Sequence, residues 1–214
     1  IEGPIGVGKT TLCHRLAEVL GGVVMLEAPS DNPFLARFYA DPVAWALPTQ
    51  LSFLLQRVRQ ARDMTQRDLF APLLISDFMV EKDRMFAELT LQPDELDLYL
   101  QVYQELLSDL PRPDLVIYLY ARIDTLLNRI ARRGIDYEQS IESDYLERLG
   151  TVYGRFFADY RDAPLLVVDT NAMNLAASDE ALDVLVEATR NVDFTVKFLG
   201  PDDLGLRIGS DAPR

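Results

Sequence analysis

Gly3-Pro4-Ile5-Gly6-Val7-Gly8-Lys9-Thr10 follows the spacing G-x-x-x-x-G-K-[ST], and Thr11 comes directly after it. That spacing serves phosphate chemistry. Glycines let main-chain N–H groups curl around phosphate oxygens, and a helix opening at the lysine turns its positive end toward the same anion. Lys9 is placed to reach the β- and γ-phosphates, and the Thr10 hydroxyl to ligate Mg²⁺. With glycine at about 7% of residues, a chance match in a chain this long is of order one in a hundred. Residues Gly3 to Thr11 are therefore expected to cradle ATP.

Several charged residues stand where a phosphate transfer needs them. Glu27 closes the apolar run Val24-Met25-Leu26, at the strand end where open α/β sheets bind ligands. It is a candidate general base for an acceptor hydroxyl in line with the γ-phosphate, set against an ordinary solvated strand-end carboxylate. Asp77 closes another apolar run and is a candidate partner for Mg²⁺, set against a plain helix cap. Arg129 and Arg133 share one helical face and are candidates to neutralise charge on the γ-phosphoryl group, in the manner of an arginine finger supplied in cis. A solvated basic helix end is the plainer reading of both. His14 and Cys13 have no partner pattern and read as structural.

The elements that must hold these residues alternate. Short Val-, Ile- and Leu-rich runs at Gly22–Glu27, Pro72–Asp77, Asp114–Tyr120 and Pro164–Asp169 read as buried strands, joined by a remnant ending at Ile1-Glu2. Helical patterns lie at Lys9–Leu20, Asn32–Tyr39, Thr49–Asp68, Pro93–Leu107, Ile123–Arg132, Ile141–Tyr160 and Asp179–Thr189. The reading is an α/β fold with one five-stranded parallel sheet of the P-loop NTPase type, flanked by helices. A phosphate loop needs a buried strand ahead of it, so more chain upstream of Ile1 is expected. Residues 1–190 read as one kinase domain and 191–214 as a tail, whose apolar patch Phe194–Leu199 is an added strand, a dimer contact or part of a linker.

The chain has 214 residues and 21 Lys and Arg against 34 Asp and Glu, a formal charge of −13. So acidic a surface disfavours nucleic acid and anionic membranes as partners. No apolar run approaches the roughly 20 residues of a membrane span, and no signal peptide is apparent. Cys13 alone cannot form an intrachain disulfide, which fits a reducing compartment, and the cytoplasm is expected. Regulatory GTPases are disfavoured because Thr170-Asn171-Ala172-Met173 lacks the N-K-x-D guanine-reading pattern.

From Ile1 to about Asp169 the chain resembles the deoxynucleoside kinase family, particularly its bacterial deoxyadenosine/deoxyguanosine kinase-like members. The resemblance rests on Glu27 before Ala28-Pro29, on the spacing of Tyr39, Pro42, Trp45, Gln50 and Arg57, on the arginine-rich segment Arg129–Glu138, and on Tyr145. It implies ATP-dependent phosphorylation of a deoxynucleoside 5′-hydroxyl, with Glu27 as base and Arg129 and Arg133 on a lid. It also implies Tyr39 and Glu138 on the deoxyribose 3′-hydroxyl, and Gln50, Arg57 and Asp83 around the base. An Asp that accepts and an Arg that donates favour adenine, guanine or cytosine over thymine, with a purine first. Phe53, Phe78 and Phe86 are possible base platforms or plain core. A homodimer built on the two long helices is implied as well. Two positions depart from the family: Phe78 and Ile135 stand where arginines are usual, and Lys82 or Arg84 is the candidate substitute cation. The alternatives are a nucleoside monophosphate kinase of thymidylate-kinase type and a nucleotide-binding protein that has lost catalysis.

Overall fold

The computed structural model describes residues 1–67, 73–107 and 110–204. The helix end expected at Asp68, the strand start expected at Pro72 and the tail beyond Leu204 lie outside them. Strands form at β1 (Val23–Met25), β2 (Leu74–Ser76), β3 (Val116–Tyr120), β4 (Leu165–Asp169) and β5 (Val196–Leu199). Helices form at α1 (Lys9–Leu20), α2 (Leu35–Ala40), α3 (Pro42–Arg67), α4 (Lys82–Thr90), α5 (Pro93–Leu106), α6 (Ile123–Arg133), α7 (Ser143–Asp159) and α8 (Asp179–Arg190).

All strand pairs are parallel, with Val24 opposite Ile75, Ile117 opposite Leu166 and Leu166 opposite Lys197. The single five-stranded sheet expected from the sequence is not what forms. β1 and β2 make one sheet and β3, β4 and β5 another. Ile1-Glu2 lies between them: Ile1 N donates to Ser76 O at 2.7 Å, Glu2 N to Ile117 O at 2.8 Å, and Leu119 N to Glu2 O at 2.8 Å. Two residues ahead of Gly3 make an isolated bridge to Tyr118 and no strand of their own. The fifth strand comes instead from the tail, where Val196–Leu199 extends the second sheet beside β4.

The strands are apolar without interruption because both faces are covered. Ile117, Leu119, Leu166 and Val168 pack with Leu12 and Leu16 of α1, Leu126 and Ile130 of α6, and Leu182 and Leu185 of α8. Val116, Tyr118, Leu165 and Val167 point the other way, onto Leu149, Tyr153 and Phe157 of α7. A separate apolar cluster joins α2, α3, α4 and α5 through Phe38, Leu54, Val58, Ala87 and Tyr99. Among the described residues no helix is long and apolar enough to cross a membrane.

Two helices differ from the sequence reading. α3 begins at Pro42 rather than Thr49 and runs through Pro48. An internal proline removes one main-chain bond, and here packing holds the turn: Trp45 stacks on Phe34 at 6.0 Å and Arg37 lies over its ring. α4 was not anticipated. Its opening residues Lys82 and Asp83 are buried by charge pairing, so no apolar stripe marks them.

Candidate active site

The phosphate loop is set by backbone that only glycine adopts easily. Gly6 has φ 82°, and a Cβ there would lie 2.9 Å from Ile130 Cγ1 and 3.0 Å from Leu126 O. At Gly3 a Cβ would run into the Leu119 carbonyl. The loop thus sits directly on β3 and α6. Pro4 and Val7 are buried in its base, while Gly8, Thr10 and Thr11 at the mouth of α1 are exposed. Lys9 Nζ donates to the carbonyls of Gly3 at 2.8 Å and Pro4 at 3.2 Å, which holds the ammonium over the loop. Burial, with the like charge of Lys82 second, pushes its pKa down to about 8. Beneath the loop, buried Glu2 accepts from Gly3 N at 3.0 Å, Met79 N at 3.0 Å and the Tyr153 hydroxyl at 3.0 Å.

One carboxylate joins this loop to the candidate base. Asp77 accepts from the Thr10 hydroxyl at 2.6 Å and from Glu27 N at 2.7 Å. A hydroxyl beside a carboxylate is the kind of hard oxygen set that Mg²⁺ takes, so Thr10 and Asp77 fit that ion. The opening of α1 brings Thr10 to Asp77, which follows the end of β2.

Glu27 itself is met by two cations. Arg57 of α3 pairs with its Oε1, and Lys82 Nζ of α4 donates to its Oε2 at 3.0 Å. Arg57 pairs at the same time with Asp83, which is fully buried. Burial alone would raise the Glu27 carboxyl, but Arg57 and Lys82 outweigh it and hold it at about 2. Asp83 Oδ2 and Arg57 Nε are buried with no hydrogen-bond partner among the described residues. They present an acceptor and a donor beside the base.

The remaining expected residues fall into two groups. Tyr39 stacks on Tyr137 at 5.5 Å, and burial, with Tyr145 and Glu138 nearby, raises its hydroxyl. Glu138 is buried and accepts from Arg133 Nε at 3.1 Å. Tyr39, Glu138, Arg133 and Tyr145 therefore share one neighbourhood. Arg129 does not join them. It donates to Val7 O at 3.1 Å, to the Thr170 hydroxyl at 2.9 Å and to Thr170 O at 2.8 Å, clipping α6 to the phosphate loop and to the end of β4. The shared face of Arg129 and Arg133 thus leads to separate partners. Gln50 is buried and donates to the Thr90 hydroxyl at 3.1 Å.

Phe78 is core, whereas Phe53 lies under Arg57 and Phe86 under Lys82, each partly exposed. Of the two candidate substitute cations, Arg84 is exposed and pairs with Glu88 at 2.7 Å. Lys82 is the one that reaches the site. Cys13 is fully buried, and burial pushes its thiol up to about 12, which fits an inert structural role.

Residues 1–192 match the family model for deoxynucleoside kinase. The chain belongs to the deoxynucleoside kinase family. Deoxynucleoside kinases carry out ATP-dependent phosphorylation of nucleosides. The chain is 40% identical over 154 residues to the deoxyguanosine kinase of Bacillus subtilis (strain 168), covering 72% of this chain and 74% of that protein. It is 28% identical over 212 residues to the deoxyadenosine kinase of Lactobacillus acidophilus, covering 90% and 96%. A solved deoxyadenosine kinase from M. mycoides with bound dCTP shares the fold, with a TM-score of 0.75 over 89% of this chain and 99% of that one at 22% identity.

As a deoxynucleoside kinase, the protein has site residues that motif spacing does not mark. Glu2 is one: a single carboxylate before the loop carries no signal until its three donors are seen. Tyr137 is another, because its role is a stack on Tyr39. For Lys82 a signal was available, a lysine four residues beyond Phe78, but it needed α4 to give it direction.

Proposed function

We propose that the protein transfers the γ-phosphate of ATP to the 5′-hydroxyl of a deoxynucleoside, a purine deoxynucleoside first. The observation that carries this reading is the chain Thr10–Asp77–Glu27, in which one carboxylate ties the phosphate loop to the candidate base through bonds of 2.6 and 2.7 Å. A main-chain bond that keeps Glu27 close to the phosphate loop supports this reading, because in-line transfer requires a base beside the donor site.

Lys9 and the loop amides hold the triphosphate. Thr10 and Asp77 would hold Mg²⁺, which would supply positive charge against the negative charge developing on the transferring phosphoryl group. Glu27 accepts the proton of the 5′-hydroxyl. Tyr39 and Glu138 hold the 3′-hydroxyl, and Arg133, carried on the same lid, turns toward the γ-phosphoryl group when the lid closes on substrate. Arg129 acts with it by fixing α6 against the loop.

Arg57 and Asp83 meet the base, with Gln50 behind them. The free Asp83 Oδ2 can only accept, which favours an exocyclic amino group, and the free Arg57 Nε can only donate. The similarity to proteins named deoxyguanosine and deoxyadenosine kinases supports the purine preference. Residues 1–190 form the kinase domain, with the tail adding β5. The enzyme acts in the cytoplasm as a homodimer through α3 and α5, where Leu55 and Leu98 are exposed. Phosphorus NMR of a reaction with ATP, Mg²⁺ and deoxyguanosine tests the transfer. A 5′-monophosphate is expected, and ADP formation that no deoxynucleoside stimulates would refute the reading.

A further inference from the structure

Glu27 carries two cations on one carboxylate, and the two are held very differently. Arg57 is restrained three ways: it pairs with Glu27, pairs with the fully buried Asp83, and lies 4.8 Å from the Phe53 ring centroid. Lys82 is 5% exposed, and among the described residues its ion pair with Glu27 is its only one. Beyond that pair, its Nζ rests 5.6 Å from the Phe86 ring centroid. A lysine is a point charge on a flexible stem, whereas an arginine bound to two carboxylates is a fixed fork. If one cation moves, it is Lys82.

Where it would move is set by its surroundings. Lys82 Nζ is tied to the head of the phosphate loop through Glu27 and Asp77, the latter accepting from Glu27 N at 2.7 Å and from the Thr10 hydroxyl at 2.6 Å, and Lys9 is the ammonium already held over that loop. Like charges in a poorly solvated site repel unless an anion stands between them. The γ-phosphoryl group of a triphosphate in the loop is such an anion, and a diphosphate lacks it. Glu27 also has a reason to lose a partner. With Oε1 on Arg57 and Oε2 on Lys82, each oxygen already carries a cation, which weakens it as an acceptor for the proton of an incoming hydroxyl.

We propose that Lys82 is a catalytic residue whose ammonium leaves Glu27 for a γ-phosphoryl oxygen when a nucleoside triphosphate fills the loop, freeing Glu27 Oε2 for the acceptor hydroxyl. The proposal rests on the reaction proposed above. In the step itself the 5′-oxygen–phosphorus bond forms and the bond from the γ-phosphorus to the bridging oxygen breaks, with its electron pair leaving on the diphosphate. The hydroxyl proton goes to Glu27 Oε2, and Lys82 keeps all its protons. The device makes the base available only when a phosphoryl group is present to be transferred. It also supplies the cation that Phe78 does not.

The test separates this role from simple neutralisation of Glu27, because only the proposed role distinguishes a triphosphate from a diphosphate. Calorimetry with Mg²⁺ measures binding of ADP and of the β,γ-imido analogue of ATP to the wild type, Lys82→Met and Lys82→Arg, with no acceptor present. A charge-assisted hydrogen bond is worth roughly 10–150-fold, so Lys82→Met is expected to lose about that factor for the analogue and less than about threefold for ADP. Lys82→Arg should recover most of the loss. With acceptor added, kcat of Lys82→Met should fall at least about tenfold while KM for deoxyguanosine changes by less than about threefold. An analogue-to-ADP affinity ratio unchanged in Lys82→Met would overturn the proposal. If that variant does not fold, the same ratio is read in Glu27→Gln/Lys82→Met, which leaves no unpaired buried charge. The binding ratio needs no acceptor, so a wrong acceptor class shows separately, as wild-type turnover that no deoxynucleoside stimulates.

Discussion

Glu27→Gln keeps the shape of the side chain and removes the charge that Arg57 and Lys82 pair with. A positioned general base contributes about 10²–10⁴-fold, so kcat is expected to drop by at least about 100-fold with ATP binding retained. A folded variant turning over near the wild-type rate would show that Glu27 is not the base. The same carboxylate makes stability depend on pH. Its folded pKa of about 2 lies below the ordinary 4.5, so the stability it contributes is complete above that value and is lost as pH falls toward about 2. Between those limits the Tm of the wild type should fall more steeply than that of Glu27→Gln, and parallel curves would contradict the pairing. Glu27, Asp77 and the phosphate loop were legible from the sequence because strand ends and glycine spacing mark them. The grip of Arg57 and Lys82 on Glu27 was not, since residues thirty and fifty-five positions away meet it only after α3 and α4 have packed.

At the scale of elements, the loop between the first bridge and α1 depends on its closeness to α6. Gly6→Ala would put a methyl 2.9 Å from Ile130 Cγ1 at a φ of 82°. Overpacking of this kind costs about 1–3 kcal/mol, which in a domain this size is roughly 2–12 °C in Tm. Thermal unfolding of Gly6→Ala should show that loss together with weaker ATP binding, and a neutral result would mean that the loop is not seated as described. α1, α5, α6 and α8 were readable almost to the residue because each has a clear apolar stripe or a proline or glycine boundary. α4 was hidden because Lys82 and Asp83 are buried as ions, and β5 was legible only as one of three readings of Phe194–Leu199 because Val196 and Phe198 stay exposed on an edge strand. Arg129 and Arg133 show how far helical periodicity carries. It put both on one face, but packing sent one to Val7 and Thr170 and the other to Glu138.

Over the whole molecule, the α/β class was legible from the alternation of apolar runs with helical patterns. The division into two sheets was not, and in the structure Ile1-Glu2 lies between them through bonds to Ser76, Ile117 and Leu119. Across that junction the phosphate loop, the candidate base and the residues proposed for the acceptor are spread between Gly3 and Glu138, inside a chain of net charge −13. On the proposed reading, such a chain offers its converging cations to a small anion. The central claim is that this convergence serves transfer to a nucleoside whose base carries an amino group. The most direct measurement is the initial rate of ATP-dependent phosphorylation of the four deoxynucleosides and their four 5′-monophosphates at matched concentration. Deoxyguanosine or deoxyadenosine is expected to lead, with thymidine at least about tenfold slower, as loss of one charge-assisted bond implies, and the monophosphates inert. Thymidine or a monophosphate as the best acceptor would contradict the account.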